Sequence, residues 1–245
     1  MGWKGKETVE ESTNRIAKLD KERRTIERRE GEVVPQPEDL SLGEVREFKL
    51  AVLHIDIDNF KQTIGNLSMT EMMRFASIFL TEMTYIIKEF DGAVEQYVGD
   101  SVTALFGVDY EAPKAAENCL NCALAMLTLI KYSVNQYLTN QELPTFTCSI
   151  GIDLDETWIE RVGIRGTNQL TLIGHGVSRA AQLRELANPN EILLGDKLFQ
   201  NLSDDEKKYC IAQPAASDWD WTYTNSQRAY PYYRYTGFWK QYPLS

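Results

Sequence analysis

Positive charge is in short supply. Against 36 Asp and Glu the 245-residue chain sets 26 Lys and Arg, a formal net charge of −10, with no block of bases anywhere. A protein that grips a phosphate backbone gains affinity by releasing counterions through clustered Lys and Arg, so a nucleic-acid polymer is not an expected partner. Long apolar runs are missing too. The N-terminus reads Met1-Gly2-Trp3-Lys4-Gly5-Lys6-Glu7, and no window approaches the ~18 uninterrupted apolar residues of a membrane span. The expectation is a cytoplasmic protein, neither secreted nor inserted in a membrane. Four cysteines are too few for a disulfide scaffold and fit a reducing compartment. With only His54 and His175 elsewhere, Cys119-x-x-Cys122 lacks the further ligands of a structural zinc site, and both thiols are expected to be buried on a helix. What the chain does have is apolar mass, 43% hydrophobic and 11% aromatic, enough for a core. Its length fits one catalytic-sized domain with an appendage.

Residues 1–47 are densely charged, with a sparse apolar seam of Val9, Ile16, Leu19 and Ile26, and read as an amphipathic helix. Pro35-Gln36-Pro37 stops it and starts a linker. Residues 48–245 are expected to be the working domain. Phe48–Ile57 reads as a buried strand, and Ser68–Phe90 as an amphipathic helix whose Ser68 and Glu71 form a capping box. Asp91-Gly92 turns the chain. Val94–Val98 and Ser101–Phe106 then flank Gly99-Asp100 as a tight hairpin. A long helix is expected over Ala112–Tyr137 and a strand over Phe146–Leu154. After a loop come a strand at Leu170–Ile173, a helix at Gly176–Leu186, a strand at Glu191–Leu194 and a helix at Lys197–Leu202. Interleaved strands and helices with a hairpin imply an α/β layered domain on a mixed or antiparallel sheet. Residues 217–243 hold 10 of the 26 aromatics. There Asp218–Tyr223 alternates like a half-buried strand, Tyr230–Phe238 looks like another, and both are expected to serve sheet or dimer packing.

The chemistry concentrates in two stretches. In Leu53-His54-Ile55-Asp56-Ile57-Asp58-Asn59-Phe60, strand alternation puts Asp56 and Asp58 on one face. Two carboxylates at a strand end are costly unless something positive sits between them, and a hard divalent cation is the usual answer. In Glu95-Gln96-Tyr97-Val98-Gly99-Asp100-Ser101, Asp100 sits at a hairpin tip where it can face Asp56 across adjacent strands. The plain alternative pairs Asp56 and Asp58 with Lys61 and leaves Asp100 as a turn residue. The two motifs together, in this order with a helix between them, favour a two-metal phosphoryl-transfer site.

These motifs, with Leu172-Ile173-Gly174-His175-Gly176-Val177-Ser178-Arg179-Ala180-Ala181-Gln182-Leu183 and Ile192-Leu193-Leu194-Gly195, resemble the class III nucleotidyl cyclases over about residues 48–205. The resemblance implies a ferredoxin-like β-α-β-β-α-β core with a mostly antiparallel sheet, an α+β layered fold. It implies two Mg²⁺ or Mn²⁺ ions per site held by Asp56, Asp100 and the backbone carbonyl of Ile57. It further implies an intramolecular attack by the ribose 3′-hydroxyl on the α-phosphate of a nucleoside triphosphate, in a homodimer whose subunits share each site.

The departures from the family pattern narrow the substrate. Where purine cyclases carry a base-reading Lys or Glu this chain has Gln96, and where they carry Asp or Cys it has Thr171. Both are neutral groups able to donate and accept, and with the larger Tyr97 beside Gln96 they suit a smaller base, while Phe60, Ser178 and Gln182 complete the expected nucleotide-binding residues. The resemblance is thus to the pyrimidine cyclases of bacterial anti-phage systems, which make cyclic UMP or cyclic CMP from UTP or CTP for a separate effector protein. The alternatives are an adenylate cyclase making cyclic AMP and a degenerate domain acting as a nucleotide sensor or dimerisation module. The family's transition-state Asn and Arg fall on Ser178 and Gln182, which leaves Arg179, or Arg184 on the same helix, as the expected substitute. The family's closing lysine motif is also absent from the tail, leaving Arg234 or Lys240 as candidates for phosphate contacts. Asp56-Ile57-Asp58-Asn59-Phe60-Lys61 also looks like the first metal motif of diguanylate cyclases, yet Val98-Gly99-Asp100-Ser101-Val102 lacks their Gly-Gly-Asp/Glu-Glu-Phe hairpin.

Overall fold

The computed structural model describes residues 28–30, 40–108 and 110–239. Strand β1 (Arg28–Glu30) runs parallel to the start of β2 (Val45–Ile57), the central strand. Beyond it come α1 (Phe60–Ile64), α2 (Met69–Glu89), β3 (Ala93–Val98), β4 (Ser101–Phe106), α3 (Ala112–Leu129), α4 (Asn135–Asn140) and β5 (Cys148–Ile164). The second half holds β6 (Thr167–Ile173), α5 (His175–Leu186), β7 (Ile192–Gly195), α6 (Asp196–Asn201), α7 (Asp204–Lys207), β8 (Cys210–Ala212) and β9 (Tyr232–Tyr235).

The strands join one sheet in the order β3-β4-β2-β5-β7-β9-β8, with β6 on the far half of β5. Among the described strands only β1 with β2 and β5 with β7 pair in parallel. The stretch β2-α2-β3-β4-α3-β5 is the expected β-α-β-β-α-β core on a mostly antiparallel sheet.

Alternation along β2 divides the molecule. Ala51, Leu53, Ile55 and Ile57 point to one face, where α2 supplies Phe75, Phe79, Met83, Ile86 and Ile87 and α3 adds a run of small and apolar side chains. Phe146 stands edge-on to Phe75 and Phe79 at 5.3 and 5.5 Å, and each such buried side chain contributes about 1.5–3 kcal/mol. Phe48, Leu50 and Val52 point to the other face, under Ala180 of α5. Cys119, Cys122 and Cys148 are buried, and burial pushes their thiols up, so they pack as small apolar groups.

Several expectations are met closely. Ser68 caps α2, accepting from the Glu71 amide while the Glu71 carboxylate accepts from the Ser68 amide at 2.8 Å. Elsewhere the structure differs. The helix expected over Ala112–Tyr137 is interrupted at Ile130–Val134 by a π-helical turn, just after Thr128 donates its hydroxyl to the Leu124 carbonyl. The strand expected to stop at Leu154 runs on to Ile164, and the expected loop is a hairpin turned at Arg165-Gly166, with Gly166 at φ 86°. Asp218–Tyr223 is no strand, because Trp219 folds back to donate its indole N–H to the Tyr230 carbonyl at 2.7 Å, leaving one bridge, Thr222 to Ala229. Of the helix expected before Pro35 only Arg28–Glu30 lies among the described residues, and it is strand, as is the end of the expected linker, Val45–Glu47.

Candidate active site

Strand β2 carries His54 and Asp56 on the face that α5 covers, and register sets Asp56 between Ser101 of β4 and Ser149 of β5. The strand ends at Ile57. Asn59 then takes a left-handed φ of 53°, which Asn tolerates, and swings Asp58 and Phe60 round the strand end. Gly99, at φ 62°, turns the β3–β4 hairpin and brings Asp100 beside Asp56. A cleft of about 440 Å³ opens there, lined by Asp56, Asp58, Phe60, Asp100, Ser149 and Arg184. Ile57 lines it as well, by main chain, since its side chain lies in the core of the opposite face.

Charge in this cleft is only partly compensated. Burial pushes the Asp56 carboxyl up to about 6, a hydrogen bond with Asp100 adds to that, and the Arg184 guanidinium at 3.0 Å opposes it. Asp56 Oδ1 and Asp58 Oδ2 are buried without a hydrogen-bond partner. Buried carboxylate oxygens are rarely left so, and oxygens converging on one cleft fit a hard divalent cation. No group of three or more His, Cys, Asp or Glu side chains is gathered closely enough to hold a metal ion by itself among the described residues. A cation there would have Asp56, Asp100 and the Ile57 carbonyl as its candidate protein ligands and would need further oxygen ligands such as water, as Mg²⁺ commonly does. His54 beside them is neutral, because burial and then the Arg184 charge lower its pKa to about 4, and its Nδ1 lies 3.1 Å from Thr103 Oγ1.

The chain has matches among known proteins. The family model for the adenylate and guanylate cyclase catalytic domain covers residues 45–215. The chain belongs to that family. A uridylate cyclase from Burkholderia cepacia is 30% identical over 203 residues, 79% of this chain and 86% of the relative. A cytidylate cyclase from Escherichia coli is 28% identical over 193 residues, 69% of this chain but 41% of its own, so the chain spans less than half of that relative. The crystal structure of the adenylyl cyclase CyaB from P. aeruginosa superposes with a TM-score of 0.67 over 80% of this chain and 98% of that one, a likeness of fold at 21% identity.

The remaining expected residues of the cyclase lie outside its own cleft. Gln96 is exposed on β3 opposite Thr103, and Thr171 is half-buried on β6 opposite Glu160, with β4, β2 and β5 between the two strands. Tyr97 alternates to the other side of β3, where its hydroxyl meets Thr84 of α2 at 2.7 Å, so it does not narrow a pocket beside Gln96. Ser178 is exposed on α5. Gln182 is held at both ends, accepting from the Trp221 indole at 2.6 Å and donating to the Asp218 carbonyl at 2.5 Å.

Arg179 stands in for nothing in the cleft. It is buried, with Nε on Asp153 and Nη2 on Asp155, each at 2.5 Å, and with the Tyr230 ring 4.1 Å from its guanidinium carbon. Buried, with Nε and Nη2 both committed to carboxylates, this guanidinium is not presented to the cleft. The expectation for it gives way to a structural role. Arg184, the other expected substitute, does line the cleft from α5, together with Glu185, and the position of Gly151 favours this. Arg234 lies away from the cleft, 3.7 Å from Glu191, and Lys240 is outside the described residues.

Proposed function

We propose that this cyclase converts a pyrimidine nucleoside triphosphate, UTP or CTP, into the 3′,5′-cyclic monophosphate and pyrophosphate. The observation that carries the reading is the cleft where Asp56, Asp58 and Asp100 meet with carboxylate oxygens left unpartnered. Neutral Gln96 and Thr171 at the base-reading positions support a pyrimidine, as do the names of the relatives.

In the reaction the 3′-oxygen bonds to the α-phosphorus, the bond from that phosphorus to the bridging oxygen breaks, pyrophosphate leaves, and the hydroxyl proton passes to solvent. Two Mg²⁺ or Mn²⁺ ions, when bound, lower the pKa of the 3′-hydroxyl and neutralise the phosphates. Asp56, Asp100 and the Ile57 carbonyl hold them. Phe60 closes the cleft on the side of α1 by packing on Phe75, with ring centroids 6.3 Å apart. Gln96, Thr171 and Ser178 stand clear of their own cleft, which suits a homodimer in which they meet the cleft of a second subunit. The product then passes to a separate effector protein in the cytoplasm, in defence against phage.

The test is incubation of purified protein with Mn²⁺ and each of the four nucleoside triphosphates, with products separated by chromatography. Cyclic UMP or cyclic CMP is expected, and product from ATP or GTP alone rejects the pyrimidine reading. A second reading, a nucleotide-binding module without turnover, is favoured by the structural engagement of both Arg179 and Gln182. Absence of all four products would establish it.

A further inference from the structure

Helix α5 carries two arginines over the sheet and commits them differently. Arg179 is locked between Asp153 and Asp155. Gln182, one turn on, is tied to Trp221 and Asp218. Arg184 alone of the three reaches the cleft, where Nη1 lies 3.0 Å from Asp56 Oδ2 and the side chain keeps 29% exposure. Its reach depends on a missing side chain. A Cβ on Gly151 would come 2.1 Å from the Ala180 carbonyl oxygen and 2.3 Å from the Arg184 amide, so glycine lets α5 lie directly on β5. Gly151 pairs with His54, and its neighbour Ser149 pairs with Asp56. The helix is thus seated at the level of the metal carboxylates.

The pair Arg184 makes is incomplete. It engages one oxygen of Asp56, while Asp56 Oδ1 and Asp58 Oδ2 stay without partners. A bidentate fork on a carboxylate is the stronger arrangement, and this guanidinium does not form one. Its other end faces Glu185 at a loose 4.0 Å. Such a cation is held by charge more than by geometry, and competes for the carboxylate that any divalent ion must take.

We infer that Arg184 is the resident counter-charge of Asp56, yields that carboxylate to a divalent cation, and then turns its freed guanidinium to the triphosphate in the same cleft. It would supply, from the subunit that holds the metal, the positive charge that neither Arg179 nor Gln182 provides. This rests on the cyclase reading for its second half only; the competition for Asp56 stands without it.

The two halves are tested separately. Mn²⁺ binding to the nucleotide-free protein, followed by electron paramagnetic resonance of the free ion, reads the first. Arg184→Gln is expected to bind Mn²⁺ about threefold to tenfold more tightly, the effect of removing a cation beside a partly exposed carboxylate. Arg184→Lys, which keeps the charge, is expected to stay within about twofold of the parent. Unchanged or weaker Mn²⁺ binding in a folded Arg184→Gln, checked by its thermal melt, overturns the competition. Should that variant not fold, Arg184→Met is measured in the same way, tighter Mn²⁺ supporting the competition and unchanged or weaker Mn²⁺ overturning it. Turnover reads the second half. With whichever triphosphate the parent cyclises, Arg184→Gln is expected to lose about 100-fold or more in kcat despite tighter metal, as when a charge at a phosphoryl group is removed. Full kcat with tighter Mn²⁺ overturns the phosphate role alone. A parent that cyclises no triphosphate defeats the cyclase reading and leaves the Mn²⁺ result to decide the competition.

Discussion

Two Asp-x-Asp segments lie on adjacent strands under the same helix, and their fates are opposite. Asp153-Leu154-Asp155 on β5 is closed: Arg179 bonds both carboxylates, the Tyr230 hydroxyl donates to both oxygens of Asp153 at 2.9 and 3.1 Å, and Lys197 completes Asp155. Asp56-Ile57-Asp58, which runs off the end of β2, is open. One arginine touches one of its oxygens and two others have no partner. The same pattern on the same face of one sheet thus makes an ion network in one place and a ligand site in the other. Satisfaction of the polar atoms, and not the presence of carboxylates, marks which is which.

The sharpest way to break the comparison is to neutralise one member of each segment's cluster. Asp100→Asn removes charge from the open cluster. Product formation is expected to fall by about a thousandfold or more, on the scale of losing charges that serve a transferring phosphoryl group. The midpoint of thermal unfolding is expected to hold or rise, since one of two mutually repelling carboxyls is gone. A large fall in thermal stability would show that the open cluster is structural after all. Arg179→Met does the converse in the closed cluster. It strands two buried carboxylates, and the expected loss, read as the shift of a urea midpoint, is about 3–5 kcal/mol. Equal stability with abolished turnover would return Arg179 to the chemistry.

How much of this difference is legible in the sequence follows from range. The β-α-β-β-α-β order, the capping box of Ser68 and Glu71, and the hairpin tip at Gly99-Asp100 are local signals, written within a few residues of where they act. Asp56 and Asp100 are 44 positions apart, and their meeting is readable because one helix and one tight turn leave few topologies. The fate of Arg179 is not readable. It depends on a partner 26 residues upstream in β5 and on Tyr230, 51 residues downstream in a segment whose alternation suggests a strand. The segment before it binds Gln182 through Trp221 and Asp218, so the aromatic-rich tail serves twice, as a strap over α5 ahead of Tyr230 and, beyond it, as the sheet strand β9 that its composition suggests. That Arg184 and not Arg179 reaches the cleft is hidden for a related reason: it turns on how closely two elements pack at Gly151, and a glycine inside a strand announces close approach without saying what approaches.

The smallest effect expected lies at the rim of the closed cluster. Lys197 bonds Asp155 from a partly exposed position, with 36% of its side chain in solvent, so Lys197→Met is expected to cost about 1 kcal/mol or less at neutral pH. Its signature is in the pH dependence. Burial raises the Asp155 carboxyl, but hydrogen bonds from Lys197 and then Arg179 outweigh it and hold the group below its ordinary value. A carboxyl depressed on folding contributes stability that is present above its unfolded pKa and is lost as the pH falls through the folded one. Removing Lys197 leaves the burial and takes away the leading opposing bond, so the acid-side loss of stability should begin at higher pH in the variant than in the parent. Urea midpoints taken from pH 7 down to pH 3 would show the two curves separating on the acid side. Curves that stay parallel would mean that Arg179 alone holds Asp155 charged, and that the closed cluster is narrower than its contacts suggest.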